Sequence, residues 1–256
     1  MKTHTPYTRN ELNIRRSDRV VEVGSGHNPT YRADVIVEKF IDNNYHRLSG
    51  VKIYPHQKFV NADGEHLPFS DDEFDYIICC HVLEHADDPV QFLKEQSRVA
   101  KRGYIETPSF LGEFLHPKQS HKWVILEIDG KLVLFEKEKM PAYEHDYGTV
   151  FLNYIPYQSL AYKILQIVEP QFSANRYEWK DGIDFIVNPT DEYYRSFFTK
   201  PWTVEMTKKI FPPRSVIKEI YKLCVGIWHI VKGEFCKFSN KEPMTIEDYK
   251  KTFGAG

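Results

Sequence analysis

Three carboxylates stand within or at the end of short strand-like runs. Glu22 lies within Arg19-Val20-Val21-Glu22-Val23, Glu38 closes Ala33-Asp34-Val35-Ile36-Val37-Glu38, and Asp63 closes Lys58-Phe59-Val60-Asn61-Ala62-Asp63. An ionised carboxylate only accepts hydrogen bonds, so each of these asks for a donor. Burying one is costly unless it meets a donor or a cation, so Glu22, set among β-branched neighbours, favours a ligand that carries an amino group. Glu38 can take both hydroxyls of a ribose. Asp63 can take an exocyclic amine such as that of adenine, with Leu67 and Phe69 as an apolar wall for the ring. Gly24-Ser25-Gly26 follows the first run at once, and a turn that only glycine tolerates lets a ligand approach the backbone. The alternative is a set of solvated acids in structural loops.

A second group suits proton transfer. His81 and His85 bracket Val82-Leu83-Glu84 after the apolar run that ends at Cys80, and His116, His121 and His145 fall in a later segment. A hydroxyl acceptor needs a base in the transition state, and the candidates are His85, His121 and His145. Each histidine taken singly also fits a packing or surface role. Tyr143, Tyr147 and Trp123 can face a cation or stack on a sugar. The spacing of His116, His121, His145 and Asp146 matches no established ligand pattern, so no metal is assigned.

Strands must hold these groups. Val20 to Val23 has the composition of a parallel strand buried on both faces; Ala33–Glu38, Lys58–Asp63, Phe74–Cys80 and Gly103–Pro108 supply four more. Glu38 follows Gly26 by only 12 positions, so any helix between the first two strands is very short or absent. Asp88-Pro89 opens a helical pattern through Ala100. Lys180-Asp181-Gly182 separates two strand-like runs within Gln171–Pro189, which predicts an antiparallel hairpin. Asp129-Gly130 joins two more runs, which predicts an inserted β-hairpin after the fifth strand. That insertion, about 110–148, reads as a lid on the acceptor side, with Tyr143–Gly148 closing the same cavity.

In this order the parts resemble a known family. VEVGSG, Glu38, and NADGEHLPFSDDEFDYIICCHVLEHADDPVQFLKEQSRVAKRGYIETPS, within about residues 19–109, resemble the class I S-adenosylmethionine-dependent methyltransferases, in particular the subgroup with an LPF…FD…VLEH…DP signature. The resemblance implies S-adenosyl-L-methionine as cofactor. Glu22 and Gly24, Ser25 and Gly26 would hold the methionine part, Glu38 the ribose, and Asp63, Gly64 and Glu65 the adenine, while His81 lines the methyl end. The abbreviated length of the Gly26–Glu38 segment, which contains His27 and Asn28, departs from the family pattern. The implied fold is α/β: a Rossmann-like, doubly wound, seven-stranded sheet, mostly parallel with a terminal antiparallel hairpin, plus the inserted β-hairpin lid and C-terminal helices.

Composition narrows the function. With 256 residues and 41% hydrophobic content the chain can build one large α/β domain with appendages, and a net charge of −2 gives no broad reason to expect nucleic acid. Thr107-Pro108-Ser109 stands where amino-methylating nucleic-acid enzymes carry Asn-Pro-Pro-aromatic. Cys79, Cys80, Cys224 and Cys236 show no metal spacing and read as reduced thiols of a cytoplasmic protein. The expected organisation is a methyltransferase core over 1–190 and a helical extension over 191–256, with 234–256 unassigned. Val216 to Val231 reads as a helix packed on the domain or on a partner subunit, or as a basic amphipathic helix resting on a membrane surface; no run is long enough to span one. The expected activity is methylation of a small molecule or glycan precursor at oxygen. The alternatives are a nicotinamide (NAD)-dependent oxidoreductase and a non-catalytic cofactor-binding module.

Overall fold

The computed structural model describes residues 2–43, 49–115, 117–140, 151, 154–237 and 243–254, with the side chains of 234–237 excepted. In chain order the elements are strands β1 (Lys2–His4), β2 (Val20–Val23), β3 (Val35–Glu38), β4 (Lys52–Ile53), β5 (Lys58–Asn61) and β6 (Tyr76–Cys80), helix α1 (Pro89–Val99), β7 (Arg102–Pro108), α2 (Phe110–Leu115), β8 (Trp123–Ile128), β9 (Lys131–Glu136), α3 (Ile155–Gln158), α4 (Leu160–Val168), β10 (Ala174–Lys180), β11 (Phe185–Val187), α5 (Glu192–Thr199), α6 (Val204–Ile210), α7 (Val216–Lys237), β12 (Met244–Thr245) and α8 (Ile246–Phe253).

Every residue of β2 and β3 is buried. That requires hydrogen-bonded neighbours on both edges and cover on both faces. The sheet that provides it runs β1-β10-β7-β6-β2-β3-β5, and the five strands from β7 to β5 pair in parallel. β1 pairs antiparallel with β10 at the far edge. The fold is therefore the mostly parallel, seven-stranded α/β sheet with an antiparallel member. The expected hairpin is corrected: Asp181 and Gly182 do turn with positive φ (58° and 99°), but the strand after them, β11, pairs in parallel with β9 in a separate sheet. The antiparallel partner of β10 comes from the N-terminus.

The chain forms two units, 1–106 with 177–183 and 241–256, and 107–176 with 184–240. The expected boundary after residue 190 falls inside the second. In the first unit, Asp88 caps α1 by accepting from the Gln91 N–H (3.0 Å), and Phe92, Leu93 and Val99 are buried. Tyr76 and Ile78 alternate onto one sheet face, where they join Val20, Ile36 and Tyr104. No helix lies between β2 and β3, and this face is covered instead by Leu12, Ile14, Val51, Ile53, Ile246 and Tyr249. The unassigned C-terminal stretch thus returns to the sheet: β12 pairs with β4, the Ile246 N–H donates to Val51 O (2.7 Å), and α8 follows.

In the second unit β8 and β9 form the expected hairpin, with Asp129 and Gly130 both at positive φ (52° and 74°), as a two-residue turn of this hand requires. Val124, Leu126, Val133 and Phe135 meet Phe197 and Phe198 of α5. Helices α4 and α7 approach closely at Gly226, where a Cβ would lie 2.7 Å from Val168.

Ile246 is 8% exposed and carries the C-terminal return. Truncating it to alanine is expected to cost about 2 kcal/mol in denaturant unfolding of the full chain. An unchanged midpoint would show that α8 contributes no cover.

Candidate cofactor site

The five parallel strands point their carboxyl ends to one edge. From β2 the chain winds outward through β3 and β5, then returns to β6 on the other side of β2, so the β2/β6 boundary is a topological switch point. Ligands of open α/β sheets bind outside the strand ends at such a point. Gly24 leaves β2 there with φ 71° and Gly26 follows with φ 57°. A Cβ on Gly24 would lie 2.1 Å from Cγ2 of Val82, so the close approach that demands glycine is to the chain segment after β6.

The register aligns the acids. Val23 pairs with Val37, and Glu38 with Asn61, which places Glu22, Glu38 and Asp63 at or near the carboxyl ends of three adjacent strands, β2, β3 and β5. Each acid has partners within the chain. Glu22 is fully buried, and its carboxylate accepts from Thr30 N (2.6 Å), Thr30 Oγ1 (3.1 Å) and Arg9 Nη1 (3.3 Å). Burial raises its pKa and outweighs Arg9 and Thr30. The cation that Glu22 requires is thus supplied by Arg9, so its burial does not by itself call for a ligand amine. Glu38 Oε1 accepts from Ser25 Oγ (3.2 Å) and from the Gly26 N–H, which braces the glycine turn. Asp63 accepts from the Glu65 N–H (3.0 Å) and pairs with Lys39 (2.7 Å). Burial pushes the Asp63 carboxyl up, but these two donors hold it below its ordinary value.

Helix α1 fixes the loop that follows Asp63. Gln96 and Gln91 donate to the carbonyls of Gly64 and Glu65 (both 3.1 Å), and Glu95 accepts from the Leu67 N–H (2.9 Å). Arg98 donates to the carbonyls of Phe69 (2.7 Å) and Leu67 (3.1 Å) while paired with Glu95 and Asp71. Gly64 is a packing glycine, since a Cβ there would lie 2.5 Å from Phe92. Glu65 is turned to the backbone N–H groups of Asp87 (2.6 Å) and Asp88 (3.1 Å). Leu67 is buried and Phe69 packs edge-on against Phe74, so in place of the expected apolar wall these side chains serve the core and its margin.

His81 takes a left-handed backbone conformation (φ 57°) at the end of β6, and its N–H donates to Glu106 O (2.7 Å). Its Nε2 lies 3.2 Å from Glu106 Oε1 and its Nδ1 3.4 Å from Glu84 Oε1. Desolvation disfavours the charged ring, but the two carboxylates outweigh it and raise the pKa from 6.5 to about 9. Tyr104 also donates to Glu106. Arg9, Lys39, Glu84 and Glu106 are the residues that sequence reasoning missed. Glu84 and Glu106 carried a signal, each an acid beside the end of an apolar run.

Of the candidate bases, His85 ends the turn Leu83–His85 after β6. His121, buried in the second unit, has Nδ1 against Glu113, which also pairs with Lys137 (2.7 Å). His145, together with His116, Tyr143, Asp146 and Tyr147, lies outside the described residues. Cys79, Cys80 and Cys224 are free thiols.

Residues 33–105 match the family described as Methyltransferase domain. An uncharacterized protein of Methanocaldococcus jannaschii, MJ1123, is 41% identical over 68 residues, 24% of this chain and 33% of its own length, so the chain spans about a third of that relative. Among solved structures, the YcgJ protein of Bacillus subtilis aligns at 23% identity over 43% of this chain and 56% of that one (TM-score 0.33). A SAM-dependent methyltransferase of Thermotoga maritima aligns at 24% identity over 37% and 45% (TM-score 0.27). The matched segment lies in a parallel sheet of this strand order, with acids along the carboxyl ends of β2, β3 and β5, and is similar to a methyltransferase domain.

Proposed function

We propose that the chain transfers the methyl group of S-adenosyl-L-methionine to an oxygen of a small molecule or glycan precursor. The observation that carries this reading is the row of Glu22, Glu38 and Asp63 along adjacent parallel strand ends, beside a positive-φ glycine turn at the switch point. The acceptor set suits a nucleoside with an amino-acid tail: Glu38 accepts from hydroxyls, Asp63 from an amine, and the Gly24–Gly26 turn keeps the tail close to the backbone. When bound, the cofactor supplies a methyl on a sulfonium, a leaving group that is already activated.

The protein's work is then to align and to exclude water. His81, with a carboxylate at each ring nitrogen, is held protonated and has no lone pair to take a proton. It serves as a fixed positive group beside Glu84 and Glu106 rather than as the base. An oxygen acceptor needs that base, and we assign it among His85, His121 and His145. The near-neutral charge and Thr107-Pro108-Ser109 support a small acceptor over a polynucleotide.

Calorimetry with S-adenosylhomocysteine is expected to show binding by the wild-type chain, weakened by about 1–3 kcal/mol in Asp63→Ala, the usual cost of leaving a donor unpaired. No heat with the wild-type chain defeats the proposal. Equal affinities defeat the adenine assignment alone. The His81 ring is expected to titrate near 9 by NMR, and to move down toward 6.5 in Glu106→Gln. Because its folded value is raised, the stabilisation from the protonated ring is complete below about pH 6.5 and is lost as pH rises through about 9. A midpoint near 6.5 in the wild type would show that the carboxylates do not hold the ring.

A further inference from the structure

Helix α7 lies against α4 through the close approach at Gly226, and His229, one turn on, is buried. Elsewhere around the helix, Ile217, Ile220, Tyr221, Ile227, Trp228 and Val231 are exposed, by 47% to 80%. At about 100° per residue these six fall within an arc of about 120°. Lys218, Glu219, Lys222 and Lys232, the charged residues of 216–233, all project outside that arc. An apolar stripe of this breadth is what an ordinary amphipathic helix turns toward a core, and it is wider than the seam one partner helix covers in a coiled coil. Here it faces outward. Apolar faces of this size mark interaction sites.

The chemistry at its edges selects the partner. Three of the four charges outside the arc are lysines, and Lys232 lies over the Trp228 ring, 4.7 Å from its centroid. Lys222 is committed to Val168 O (2.9 Å) and Glu169 (3.5 Å). Lys218 and Lys232 flank the stripe on the side of Tyr221 and Trp228. An apolar face bounded by a tryptophan, a tyrosine and lysines is the pattern of a helix lying at a membrane interface, where rings sit at headgroup depth and ammonium groups reach anionic headgroups. None of the described helices is long and apolar enough to cross a membrane. We propose that the exposed face of α7 docks in the plane of an anionic lipid bilayer, with Ile217, Ile220, Ile227 and Val231 below the headgroups and Lys218 and Lys232 among them. This anchoring is independent of which acceptor the methyltransferase domain uses.

The test is co-sedimentation of the full chain with vesicles of phosphatidylcholine alone and of phosphatidylcholine mixed equally with phosphatidylglycerol. The chain is expected to sediment with the anionic vesicles, less so as salt is raised. Ile220→Glu combined with Ile227→Glu is expected to reduce that binding by roughly tenfold or more, because two side chains can no longer enter the acyl boundary. Both positions are exposed, so circular dichroism and the melting temperature should not change. Lys218→Glu with Lys232→Glu, which leaves the apolar face untouched, should abolish the preference for anionic vesicles. A chain that stays in the supernatant overturns the proposal. If light scattering then shows a dimer that the isoleucine variant dissolves, a second copy covers the face; if it shows a monomer, the cover is another protein.

Discussion

The switch crevice depends on one steric constraint, the fit of Val82 against Gly24. Strand β2 ends and turns through a left-handed glycine, and the space a side chain would need is filled by Val82 just after β6. The two central strands are thereby locked at their carboxyl ends, where a parallel sheet opens to a ligand. The Gly24 N–H donates to Val37 O (2.8 Å), which ties the same turn to β3. Gly26 then meets Glu38. The turn is thus fastened to three strands before any ligand is considered.

That fastening shapes the electrostatics. Glu22, Glu38 and Asp63 each hold internal donors: Arg9 with Thr30, Ser25 with Gly26, and Lys39 with the Glu65 amide. A ligand that bonds these carboxylates must share or displace donors already present, so the net gain per contact is the modest one of exchange rather than the full value of a new pairing. In the proposed reading, affinity then rests on the fixed geometry of the strand ends more than on any single acid. The same economy appears at His81, whose protonated ring offsets the repulsion between Glu84 and Glu106.

Much of the sheet is legible in the sequence because parallel strands buried on both faces read as unbroken apolar runs. Val35–Val37 and Tyr76–Cys79 are such runs, Val20–Val23 is one but for Glu22, and the runs of β2 and β3 end at Gly24 and Glu38. The missing β2–β3 helix is also legible, since 12 residues leave no room for one once the turn and strand are subtracted. What covers that face is not legible. Leu12, Ile53 and Ile246 come from three distant segments, and no local pattern announces that α8 will return to β4. The roles within the site divide the same way: glycine and acid positions follow from spacing, whereas Arg9 and Lys39 are ordinary surface residues until the fold sets them beside Glu22 and Asp63.

The misread hairpin shows where local chemistry stops. Asp181-Gly182 specifies a left-handed turn, and the chain does turn there, but a turn fixes only a change of direction, not the partner of the next strand. The outer edge of β10 is taken by β1, whose His4 meets the buried Glu178 (2.5 Å), and Glu178 also accepts from Tyr76 (2.5 Å) and the Asn13 N–H (2.8 Å). A strand that folded back from Asp181 would have to displace that buried network, leaving a carboxylate without its donors, at a cost of the order of several kcal/mol. The residues after Gly182 instead find an open edge on β9, where Asn188, again at positive φ (45°), donates its N–H to Leu134 O (3.0 Å). The edge of β10 is held through Glu178 by His4, Asn13 and Tyr76, each more than a hundred residues away in sequence, and a turn signal carries no record of such partners.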